Sequence, residues 1–242
     1  MNILALDTTT KVANASSYIN NIITTKSIDN EITHSEKLLP LVDELLKESK
    51  VTLKDIDLYA VTTGPGSFTG IRIGLATVKA FTKVYNKNIF AIDSLEVMAY
   101  TKIQNNIDYV ISMMDARNSR IYYSVYKLET KNNLPILSND FGFYNDTIDV
   151  AEKKIQNYFE NISNTNIIVT GDIAESYSNI TIQNNNTYFE NTTLNTETIL
   201  EIINNEAEIY NNIALSPHIT NYQNLDATYM RSSEAERTKY GE

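Results

Sequence analysis

The spacing of apolar residues changes in a fixed order along this 242-residue chain, and the order then recurs. "NILALD" is apolar on both sides, as in a buried strand ending at Asp7. "ANASSYI" and "NIITTKSI" follow as short β-branched strands with Asn-rich turns. The period then becomes helical, with Leu38, Leu39, Leu41, Val42, Leu45 and Leu46 in "THSEKLLPLVDELLKESK". Thr33 and Glu36 have the spacing of a capping box, and Pro40 predicts a kink because it has no N–H for the carbonyl of Glu36. "DLYAVTTG" reads as a strand, residues 67–85 as a helix, "NIFAID" as a strand and "SLEVMAYTKIQ" as a helix. Downstream, "YVISMMDARNSRIYYSVYKLE" places Asp115 after an apolar strand, as Asp7 is placed. A helix in "DTIDVAEKKIQNYF", a strand in "NIIVTGD" and a helix in "TETILEIINNEAEIY" complete the second round. Such a repeated order predicts two duplicated α/β lobes with mixed sheets and flanking helices. We divide them as residues 1–104 and 105–242, with the last helix and tail free to return to the first lobe.

Absence of cysteine removes disulfides, thiolate metal sites and cysteine nucleophiles, and two histidines, His34 and His218, are too few for a histidine-rich metal centre. A net charge of −10 opposes free-standing nucleic-acid binding, which depends on neutralising phosphates. The opening "MNILALDTTT" has neither a basic stretch nor a long apolar one, and no run of about 18 apolar residues occurs, so a cytoplasmic protein without a membrane span is expected.

The densest motif is "VTTGPGSFTGIRIGLATVKAF". Gly64, Gly66 and Gly70 miss the spacing of a P-loop, a dinucleotide fingerprint fails at Thr69, and Gly66 directly before Ser67 excludes the serine-hydrolase elbow. What remains is a strand, a tight Gly-Pro-Gly turn and a helix capped by Ser67. Asp7, Gly64, Gly66 and Ser67 thus make a candidate weak anion or nucleotide loop, or else a close strand-to-helix crossing. Asp7 and Asp115 have two readings each: orienting a metal-bound water or phosphate, or capping a turn. His34 reads as a surface or cap residue, and His218 carries no pattern. Gly70, Gly74 and Thr77 form a narrow face where a second helix can approach. The leucines of the first helix span more than one stripe, so a partner helix could bury two or three of them.

Five segments in order, "ILALDTTT", "HSEKLLPLVDELL", "YAVTTGPGSFTGIRIGLATVKAF", "MMDARNSRIYYSVY" and "ATYMRSSEAE", resemble the TsaB (YeaZ) family over nearly the whole chain. The resemblance implies two ribonuclease-H-like lobes of the actin, Hsp70 and sugar-kinase superfamily. It also implies a non-catalytic subunit for threonylcarbamoyladenosine synthesis on tRNA. In that family the metal and threonylcarbamoyl adenylate belong to the partner TsaD and ATP to TsaE, so this chain would hold no metal or cofactor and meet tRNA only through the complex. The catalytic relative carries His-x-x-x-His on the helix where this chain has Ser94 and Met98, and active superfamily members carry a glycine where this chain reads Asp7-Thr8-Thr9-Thr10. The expected interface is Leu38, Leu41, Val42 and Leu45 with Gly70, Ile71, Gly74 and Thr77. A Gly74→Arg change should then abolish pairing and spare the fold, and the same face should form a homodimer when the chain is alone. The rival reading is a nucleotide-dependent phosphotransferase or metal hydrolase using Asp7, Asp115 and the Gly64 loop. Nothing in the sequence supports the glycoprotease label once given to this family.

Overall fold

The computed structural model describes residues 1–29, 34–103, 106–178 and 180–230, the side chain of His34 excepted. The Thr33 cap and the tail's Arg231, Arg237 and Lys239 lie outside the described residues. The chain forms two units. The first comprises Met1–Val97, Lys131–Leu134 and Leu194–Ala227; the second comprises Met98–Thr130, Pro135–Thr193 and the described residues from Thr228. The stretch from Leu194 to Ala227, which includes the last helix, therefore groups with the first unit.

In the first unit, strands β1 (Ile3–Asp7), β2 (Val12–Ile19), β3 (Ile22–Asp29), β4 (Leu58–Thr62) and β5 (Asn88–Ile92) lie in the order β3-β2-β1-β4-β5. The pairings β1–β2 and β2–β3 are antiparallel, and β1, β4 and β5 run parallel. Asn20 and Asn21, both left-handed at φ 52° and 65°, turn β2 into β3, because a two-residue hairpin needs positive φ at both central positions. Three helices belong to this half of the chain: α1 (His34–Glu48), α2 (Phe68–Tyr85) and α3 (Ser94–Tyr100). α1 continues through Pro40, and α3 stops short of the predicted end. After it, Thr101 and Lys102 bond back three residues to Met98 and Ala99, which tightens the last turn.

The second unit repeats the plan. β6 (Tyr109–Asp115), β7 (Arg120–Lys131), β8 (Leu134–Ser138), β10 (Asn166–Gly171) and β11 (Asn186–Asn191) lie in the order β8-β7-β6-β10-β11. β6 is antiparallel to β7 and parallel to β10, just as β1 is to β2 and β4. The turn between β7 and β8 again uses two left-handed asparagines, Asn132 and Asn133. β9 (Tyr144–Thr147) pairs with β7 and leads into α4 (Ile148–Tyr158). α5 (Thr196–Ile209) returns to the first unit and packs on β1 and β2, where Ser16 and Thr196 share a hydrogen bond of 2.6 Å. β12 (Ile219–Thr220) closes the first sheet beside β5.

Candidate functional site

The parallel strands β1, β4 and β5 all end on one edge of the first sheet, the position where open α/β sheets bind ligands. Asp7 ends β1 and is fully buried. Its Oδ1 accepts three hydrogen bonds: from the Thr9 N–H at 3.1 Å, the Thr9 hydroxyl at 2.6 Å and the Thr62 hydroxyl at 2.5 Å. The Ser94 hydroxyl extends the chain by donating to Thr9 Oγ1 at 3.1 Å, and the Ser94 N–H donates to the Gly64 carbonyl at 2.8 Å. Asp7 thus organises the residues around the glycine turn through their hydroxyls.

The glycines of that turn meet the end of the chain's own first strand. A Cβ on Gly66 would lie 2.3 Å from the Thr9 carbonyl oxygen, one on Gly70 only 1.8 Å from that of Thr8, and one on Gly74 2.6 Å from Thr8 Oγ1. Gly66 also has φ +155° and Gly64 φ +109°, and the peptide between Gly64 and Pro65 is cis. Thr8 donates its hydroxyl to the Gly70 carbonyl at 2.6 Å, and Thr9 accepts from the Ser67 N–H at 2.7 Å. Ser67 caps α2 by accepting from the Gly70 N–H at 3.2 Å. Of the two readings of this loop, the structure displays the close strand-to-helix crossing.

This corrects the expected interface. Gly70 and Gly74 face Thr8 and not another helix, so Gly74→Arg would break the fold before it reached any partner. Leu38, Leu41, Val42, Leu45 and Ile71 are buried in one cluster with Leu4, Tyr59 and Val61 of the sheet. The broad leucine stripe of α1 is filled by its own unit, and of those leucines Leu39 alone is exposed, at 54%. Thr77 is partly buried and donates back to the Ile73 carbonyl at 2.8 Å. What α2 turns outward is a different set: Thr69, Arg72, Ala76, Ala80, Lys83 and Val84, flanked by partly buried Ile73, Thr77 and Lys79. Val84 is 73% exposed.

Asp115 ends β6 as Asp7 ends β1, but it is exposed and accepts from the Arg117 N–H at 2.8 Å. It caps a hairpin tip in which Arg117, Asn118 and Ser119 are all left-handed. Asp7 and Asp115 stand at matching places in their units and do different work.

Two titratable clusters, one at Asp93 and one around His218, were not singled out by sequence. Asp93 follows β5 and takes the N–H groups of Leu95 and Glu96 on Oδ1, while its Oδ2 is buried without a hydrogen-bond partner. Burial pushes its carboxyl well above the ordinary range, against the pull of those N–H groups. His218, which carried no pattern, lies between Glu206 of α5 (Nδ1, 2.8 Å) and Glu96 of α3 (Nε2, 3.3 Å). Burial lowers the affinity of this imidazole for its proton, but the two carboxylates raise it further, to a pKa of about 10. Ser216 adds a short hydrogen bond to Glu206, and the ring lies 4.9 Å from that of Phe90. The ring nitrogens take separate carboxylates, so the cluster has the geometry of an ion-pair clamp. Among the described residues no group of three or more His, Asp or Glu is arranged to hold a metal, and no helix is long and apolar enough to cross a membrane.

The family described as "TsaD: tRNA N6-adenosine threonylcarbamoyltransferase" matches residues 27–223. Within it, the chain is 26% identical over 191 residues to the tRNA threonylcarbamoyladenosine biosynthesis protein TsaB of Haemophilus influenzae, covering 76% of this chain and 77% of that protein. The chain belongs to the TsaD family, in its TsaB (YeaZ) branch. Three further TsaB proteins match over 55–60% of their own lengths. Similarity to the threonylcarbamoyltransferase of Rhizobium johnstonii is higher but local: 43% over 68 residues, 28% of this chain and 19% of that enzyme. A crystal structure of a Pseudomonas aeruginosa protein with similarity to peptidase YeaZ superposes with a TM-score of 0.73 at 20% identity, over 95% of this chain and 99% of that one. The chain therefore has the fold of the YeaZ structure: two mixed α/β sheets with flanking helices, laid out on the paired strand orders described above.

Proposed function

We propose that this TsaB-family chain is a non-catalytic subunit for threonylcarbamoyladenosine synthesis on tRNA, and that it pairs with TsaD and helps hold that enzyme in an active shape. The observation that carries the reading is the packing of the strand-end crevice. Where a phosphate-binding relative needs open backbone, Thr8 and Thr9 lie against Gly66 and Gly70, and Asp7 is engaged by the Thr9 and Thr62 hydroxyls. The outward face of α2 then supplies the pairing surface, with Ile73, Ala76, Ala80 and Val84 in place of the buried leucines. In this reading the metal and threonylcarbamoyl adenylate sit on TsaD, ATP on TsaE, and tRNA is met through the assembly. A second copy of the chain takes the same face when TsaD is absent.

The test is threonylcarbamoyl transfer to tRNA by the TsaD of the same organism, with TsaE and a source of threonylcarbamoyl adenylate, run with and without this chain. Transfer that requires the chain, together with no nucleotide turnover by the chain alone, is the expected result. Equal transfer without it would overturn the proposal, and ATP hydrolysis by the isolated chain would return Asp7 and the Gly64 loop to the catalytic reading.

A further inference from the structure

We infer that the exposed face of α2 selects its partner by charge as well as by shape, and that its occupant is a protein helix with an acidic edge. The inference rests on the pairing reading above and adds the chemistry of what docks there.

Two parallel stripes run along the exposed side of α2. Ile73, Ala76, Thr77, Ala80 and Val84 recur at i, i+3, i+4, i+7 and i+11, which makes one apolar, small-residue ribbon. Arg72, Lys79 and Lys83 recur at i, i+7 and i+11 along its edge. The 18-residue helix contains no carboxylate, although the chain as a whole carries a net charge of −10. Neither Lys79 nor Lys83 has a carboxylate within ion-pair distance among the described residues, a condition they share with several other lysines of the chain. The helix dipole accounts for Lys83 in the last turn but gives no reason for Arg72 or Lys79, which lie outside the terminal turns. Arg72 is held along the helix by its guanidinium, 3.9 Å above the Phe68 ring.

Cations beside an apolar ribbon match an amphipathic helix whose apolar stripe is flanked by Asp or Glu, since one contact then covers the ribbon and neutralises the edge. A nucleic-acid backbone would use the three cations and leave Val84, the most exposed large apolar side chain of the ribbon, in water.

The experiment measures binding of the full chain to TsaD of the same organism at low and high salt. It compares wild type, the double variant Lys79→Glu/Lys83→Glu, and Ala80→Arg, with thermal melts confirming that each variant is folded. Wild-type affinity should fall with salt, the charge variant should bind about tenfold more weakly at low salt and lose most of its salt dependence, and Ala80→Arg should abolish binding. If Ala80→Arg binds like wild type, or wild type fails to bind at all, the pairing surface itself is wrong and this inference falls with it. Should Ala80→Arg abolish binding while the charge variant matches wild type at both salts, only the charge selection is overturned. It is overturned equally if the charge variant pairs normally but the complex loses retention of tRNA.

Discussion

At the scale of single residues, the glycines of α2 differ in what opposes them, and this orders their substitutions. Gly70 faces the Thr8 carbonyl, a backbone atom that cannot move without shifting β1, so Gly70→Ala should cost roughly 2–3 kcal/mol by overpacking. Gly74 is crowded by a side-chain atom and not by backbone, the Thr8 hydroxyl, with Val61 at ordinary contact distance, and the helix gains about 1 kcal/mol from alanine, so Gly74→Ala should stay within about 1 kcal/mol of wild type. Urea unfolding of the two variants checks the order. His218→Ala would leave Glu206 buried without its cation and should cost about 3–5 kcal/mol near neutral pH. The carboxyls facing this ring are Glu96 and Glu206, with Asp93 more distant. Because its folded pKa of about 10 stands above an unfolded value near 6.5, the stabilisation is complete below about pH 6.5 and is lost as the pH rises toward 10. Unfolding wild type and variant at a series of pH values should show their difference shrinking over that interval. The clamp was not legible in sequence, since Glu206 lies 12 residues before His218 on another element and Glu96 lies 122 residues before it.

Among the elements, α1 shows where periodicity informs and where it misleads. The apolar spacing identified the helix correctly, but it could not say how many of its faces the chain would cover itself. Leu45→Ala should therefore cost about 2–5 kcal/mol, as a cavity in the core, while Leu39→Ala should change stability by less than about 0.5 kcal/mol. Thermal or urea midpoints of the pair decide this, and equal effects would mean that Leu45 is not a core residue. The glycine motif behaved similarly. Its placement at a strand-to-helix turn was legible because Gly, Pro and Ser have strong local preferences, but its contact with Thr8 and Thr9 brings together residues about 60 positions apart. The outward ribbon of α2 was hidden in the same way, because alanines and a valine are compatible with either side of a helix until the buried side is known.

For the whole molecule, the duplicated order of strands was readable because each change of period is local and the series occurred twice. The return of α5 to the first unit was left open by sequence, since its pattern specifies a buried face and not the sheet that buries it. The overall acidity predicts that the chain alone should not retain tRNA on a filter at moderate salt; retention that falls steeply with added salt would refute this. The two units share a strand plan but differ between the fourth and fifth strands of the plan. There the first unit carries the 18 residues of α2, and the second has, among the described residues, a short 3₁₀ turn, Ala174–Tyr177. In the pairing proposed above, duplication therefore leaves the chain monovalent through this element. A molecule with one such ribbon can cap a partner or close a pair, but it cannot pass the contact onward, so assembly through α2 ends at a finite stoichiometry instead of growing into a filament.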